Sequence, residues 1–111
     1  MANNFKNGGV SGVSINSSSP TSLYTATGVK SIVIELDIAN TSTSAITVSA
    51  ILFDSSANAS YHIVKDAPLP SGSTIKVISG QKIVLESSDE IRVYASSTSA
   101  DAIISVLEDV S

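Results

Sequence analysis

The chain has no cysteine, no tryptophan and only five aromatic residues, three Tyr and two Phe. Without cysteine there is no disulfide framework and no thiolate metal site. That is compatible with a reducing compartment. Charge is scarce as well: Asp, Glu, Lys and Arg make up 14% of 111 residues, well under the usual ~25%. The six basic residues, Lys6, Lys30, Lys65, Lys76, Lys82 and Arg92, are scattered, and the net charge is −4. Such a balance argues against nucleic acid, which calls for a basic stripe. No apolar run approaches the ~20 residues of a membrane span, so no membrane partner is expected. The opening M-A-N-N-F-K-N-G-G has no hydrophobic region of the kind a secretory signal carries. Asn16, Asn40 and Asn58 head glycosylation-type triplets, which arise by chance in so hydroxyl-rich a chain.

What is present is Ser and Thr, more than a quarter of the residues, interleaved with short aliphatic runs. The clearest run is Ser31 to Ala39, S-I-V-I-E-L-D-I-A. Ile32, Ile34, Leu36 and Ile38 fall at every second position, with Val33, Glu35 and Asp37 between them. Side chains alternate faces along a strand, so this spacing predicts a central strand with the four aliphatics in the core and the carboxylates in water. Ala45 to Phe53 alternates in the same way. With the polar connection Asn40–Ser44 it reads as the return strand of an antiparallel hairpin. Ile51 and Phe53 would leave its outer face partly apolar at one end.

Further strands are expected at Ser22–Thr25, Tyr61–Asp66, Thr74–Ile78, Gln81–Leu85, Glu90–Ala95 and Ala102–Glu108. A weak edge strand is expected around Val10–Ile15. Ala67-Pro68-Leu69-Pro70 predicts a crossing between sheets, since proline cannot donate to a ladder. Turn signals recur every ~8–12 residues and no helical periodicity appears. The fold class read from this pattern is all-β: a single antiparallel β-sandwich or jelly-roll-like barrel of eight or nine short strands. Residues 1–111 form one domain, with a polar N-terminal arm over about residues 1–9 anchored by Phe5.

No catalytic, cofactor-binding or metal-ligating residue is assigned. His62 is the single histidine, with no Cys or carboxylate cluster beside it in the sequence. Gly9-Val10-Ser11-Gly12 lacks the spacing of a nucleophile elbow. Glu35 and Asp37, two residues apart on one strand face, have the separation of a glycosidase pair or a calcium site. The same spacing describes an ordinary solvated face. Asp89-Glu90 and Glu108-Asp109 sit at strand ends. Tyr24, Tyr61 and Tyr94 are too dispersed to form a carbohydrate platform.

The stretch from Tyr61 to Glu108 resembles small structural proteins of marine and cyanobacterial tailed phages. Its most characteristic pieces are V-K-D-A-P-L-P-S-G, K-I-V-L-E-S-S-D-E-I and S-V-L-E. M-A-N-N-F-K-N, L-Y-T-A and I-A-N-T-S-T-S-A-I-T-V extend the likeness over nearly the whole chain. Ser88-Asp89 departs from the Gly-Asp common in that turn. The resemblance implies a virion structural protein, first of all a capsid decoration or cement protein. A neck, tail or fibre-associated protein, or a lectin-like host-surface module, is the alternative. It implies the major capsid protein or other virion proteins as partners, residence in the virion, and a homo-oligomer, by analogy a trimer. Phe5, Ile51 and Phe53 are the interface candidates.

Overall fold

A computed structural model describes residues 4–108. Met1 to Asn3, the tip of the expected arm, lie outside the described residues. The chain is all-β. Its strands are β1 (Asn4–Ser11), β2 (Thr21–Thr25), β3 (Lys30–Asn40), β4 (Ile46–Asp54), β5 (Ala59–Leu69), β6 (Thr74–Glu86), β7 (Glu90–Ala95) and β8 (Ala100–Glu108). They form two four-stranded sheets, ordered β1-β8-β3-β6 and β2-β7-β4-β5, and all strand pairs are antiparallel. The two sheets bury one aliphatic core that includes Leu36, Ile38, Ile78, Leu85, Ile91, Ile104 and Val106.

The pairings nest: β1 with β8, β2 with β7, β3 with β6, β4 with β5. One long ribbon, folded back at the β4–β5 turn and rolled up, produces this order, which is that of a jelly roll. Only β4 and β5 are both consecutive and paired. The expected hairpin of residues 31–39 with 45–53 is therefore corrected. β3 and β4 lie in opposite sheets, and the link between them crosses the edge of the sandwich. Asn40 makes that crossing. Its buried side chain donates to the carbonyls of Ser44 and Leu69 at 2.8 and 3.0 Å, and its Oδ1 accepts from the Ser42 N–H and hydroxyl at 2.9 and 2.7 Å. Every hydrogen-bonding capacity of the amide is used, which is what a buried Asn requires.

The alternation on β3 slips once. In pairing with β8, Val33 meets Val106 and Glu35 meets Ser105, so Ile34 is the extra residue of a β-bulge. Ser31 and Val33 point inward before the bulge, and Leu36, Ile38 and Asn40 after it. Ile32 and Ile34, expected in the core, are half-buried on the outer face, while Val33 is fully buried.

The polar arm is also revised. From Asn4 onward it is the edge strand β1, in unbroken register with β8 from Asn4↔Glu108 to Ser11↔Asp101. Gly8 and Gly9 belong to that strand. A Cβ on Gly8 would lie 3.4 Å from Ile104 Cγ2, and one on Gly9 3.3 Å from the Ala102 carbonyl. Close approach between strands is one reason glycine appears inside a strand.

The expected turn at Ser79-Gly80 is a bulge within one 13-residue strand, because both halves of β6 pair with β3. β5 continues through Pro68 to Leu69, which its position at the edge of its sheet permits. The chain then crosses to β6 in the opposite sheet, as the prolines predict.

Candidate functional site

The two outer faces differ. On the β2-β7-β4-β5 sheet Ile51 and Phe53 are covered by the chain's own side chains. Arg92 makes a double hydrogen bond to Glu90, 3.0 and 3.1 Å, and its guanidinium lies 4.0 Å over the Phe53 ring. The Arg92 contact is the first cause holding the Glu90 carboxyl below its usual range. Ile51, flanked in register by His62 and Arg92, is only 5% exposed. Ile51 and Phe53 share the outer face as expected, but Ile51 is buried within the chain and Phe53 is roofed by Arg92.

His62 stands edge-on to Tyr94, with Nε2 3.1 Å from the Tyr94 hydroxyl. Among the described residues no group of three or more His, Cys, Asp or Glu side chains is placed to hold a metal ion. A shallow polar depression of about 290 Å³ beside Tyr94 is lined by Thr47, Lys65, Asp66 and Ser96 among others.

The β1-β8-β3-β6 sheet is open on its outside. Phe5 pairs with Leu107, Leu107 with Ile32, and Ile32 with Val84. One apolar rung therefore crosses all four strands. Its ends are the most exposed, Phe5 at 78% and Val84 at 56%, with Leu107 and Ile32 half-buried between them. The bulge turns Ile34 toward the same side, where it helps line a depression of about 280 Å³ with Phe5, Asn7 and Ser105. Phe5 is thus where the sequence placed an anchor, but on a rigid strand. Ile32 was expected in the core, and Val84 and Leu107 were placed on strands with no face assigned. Only the cross-strand register reveals the rung.

Glu35, Asp37 and Lys76 lie on the same face. Lys76 Nζ is 3.4 Å from Glu35 Oε2. Asp37 Oδ1 is buried without a partner. Burial first, and then the neighbouring Glu35, push the Asp37 carboxyl above its ordinary 3.8. A hydrogen bond from Asp37 and then Lys76 hold Glu35 below its ordinary 4.5. Lys76 sits on one of the two carboxylates, and among the described residues no third acid joins them to hold a metal ion.

A raised folded-state pKa makes a contribution that favours folding below the unfolded value and is lost as pH rises through the raised value. Asp37→Asn should therefore raise the melting temperature at neutral pH. The gain should vanish below about pH 3.8, where Asp37 is protonated in both states. A neutral-pH loss in thermal melts would show that the charged form of Asp37 is the one the fold favours.

The opposite end of the sandwich holds a buried polar cluster. Glu108 accepts a short hydrogen bond from the Tyr24 hydroxyl, and Lys6 Nζ lies 3.9 Å away. This cluster ties β1, β2 and β8 together and secures the strand that carries Phe5. Comparisons with protein-family models, curated proteins and solved structures return no match.

Proposed function

We propose that the chain is a phage virion structural protein, a capsid decoration or cement protein that stabilises the shell by packing on its neighbours. The observation that supports this reading is the apolar rung Phe5–Leu107–Ile32–Val84 across the outer sheet face, with Ile34 and the exposed Ile103 on the same side. A continuous apolar strip on a rigid sheet has the makings of a protein-docking surface. The jelly-roll order is common among capsid proteins, though the same superfold also hosts lectins and enzymes. The sequence resemblance to phage structural proteins selects among these.

In this reading the chain binds virion proteins and copies of itself and performs no chemistry. Burying the rung across subunit boundaries favours the assembled shell by mass action, because the bound state is the one the contact stabilises.

Copy number per purified particle tests the assignment. Hundreds of copies are expected for a component of the capsid surface. A count of about six or twelve, following the symmetry of a neck or tail ring, would move the protein to that part of the particle. Its absence from purified particles would overturn the virion reading.

A further inference from the structure

We propose that the partner seated on the apolar rung is a second copy of the same chain, packed face to face about a two-fold axis that runs along the rung. The inference rests on reading that face as a docking surface and names its occupant.

The charges flanking the rung are self-complementary. On β3, Lys30 lies one rung to one side of Ile32, and Glu35 one rung to the other, opposite Ser105. On β6, Glu86 pairs with Lys30 and Ser79 with Glu35. A two-fold axis along the rung superposes each strand on its own copy and exchanges the two flanks. Glu35 then faces Lys30 of the second copy, twice by symmetry, and Ser79 faces Glu86. Phe5, Leu107, Ile32 and Val84 each meet the same residue of the copy, as an isologous contact requires. Among the described residues no like charges oppose one another in this arrangement.

The size of the face is consistent with such a pair. On the described strands the apolar rung and the Glu35 rung cross four strands and the Lys30 rung two, ten positions of about 4.8 by 6.7 Å, or roughly 320 Å² per copy. The total of roughly 640 Å² is below the ~1,200–2,000 Å² of stable specific interfaces, which suits a weak, reversible association. Sheets also pack readily face to face. The contact is separate from the trimer that the resemblance implies, which would need a different surface.

The test is the solution mass of the purified full chain by sedimentation over the micromolar range. The wild type should reach twice the chain mass. Val84→Lys, at an exposed position on an edge strand, should give the single-chain mass with an unchanged β spectrum. Glu35→Lys should weaken association about ten-fold or more, and adding Lys30→Glu should restore most of the loss.

A wild type that stays at single mass, an assembly indifferent to Val84→Lys, or a double variant no better than Glu35→Lys would overturn the proposal. The virion reading separates from it in particles. If the wild type is monomeric yet Val84→Lys abolishes incorporation, the rung docks on another virion protein and the second-copy inference falls. If the dimer behaves as stated while Val84→Lys enters particles at full copy number, the inference stands and attachment to the shell lies elsewhere.

Discussion

Leu36→Ala should lower folding stability by about 3–5 kcal/mol, the upper part of the range for buried leucines. Leu36 is fully buried just after the β3 bulge, with Ile104 and Ile78 as its partners on either side. Close packing between two sheets leaves little room for the cavity to collapse. The bulge makes a finer contrast. Val33→Ala, at a fully buried site, should cost about 1.5–3 kcal/mol. Ile34→Ala, on the half-exposed outer face, should cost about 1 kcal/mol or less. Strict alternation along the strand demands the reverse order. Urea denaturation of the three variants decides between them, and a larger loss at Ile34 than at Val33 would remove the bulge from this position.

Asp89→Ala should cost about 2–4 kcal/mol, although Asp89 is a polar turn residue that packs no apolar side chain of its own. It is 5% exposed at the turn between β6 and β7. One carboxylate oxygen accepts the Ser55 N–H at 3.0 Å and the other the Glu86 N–H at 2.9 Å. Its carbonyl accepts the Ala26 N–H at 2.8 Å. The residue thereby joins the turn after β4, the loop after β2 and its own turn. Alanine would orphan two N–H groups, each worth about 1–3 kcal/mol when left unsatisfied and buried. Asp89→Asn retains one acceptor oxygen and should lose about half as much. Equal stability of Asp89→Ala and wild type in urea would mean that water replaces the carboxylate without cost.

The strands themselves were legible because alternation and β-branched density are local signals. β4, β7 and β8 lie within a residue or two of their expected limits. Their partners were not legible. In a jelly roll β1 pairs with β8 across nearly the whole chain, and no local pattern specifies that pairing. The five-residue link after Asn40 has the length of a hairpin loop and also of a crossing between sheets. What distinguishes them is the burial of Asn40, a tertiary fact.

The β3 bulge was hidden because Ile32, Val33 and Ile34 are all apolar, so either face could be the inner one. β1 was hidden by its composition. Asn, Lys and two glycines read as a free arm until β8 supplies the ladder and the close approach. On the opposite sheet, alternation placed Ile51 and Phe53 on the right face but could not show that Arg92 and His62 flank them. The rung combines these effects, since it needs the β3 bulge, the β1 register and the β6 pairing together.

The central claim is that the outer face of the β1-β8-β3-β6 sheet is an assembly surface, whether its neighbour is a copy or, on the proposed phage reading, a virion protein. Hydroxyl-radical footprinting of assembled particles tests it most directly, using Phe5 and Tyr61 as reporters. In the single chain Phe5 is 78% exposed, and Tyr61, on the other sheet, 55%. In particles Phe5 should be largely protected while Tyr61 remains readily labelled. Heavy labelling of Phe5 alongside a protected Tyr61 would contradict the account.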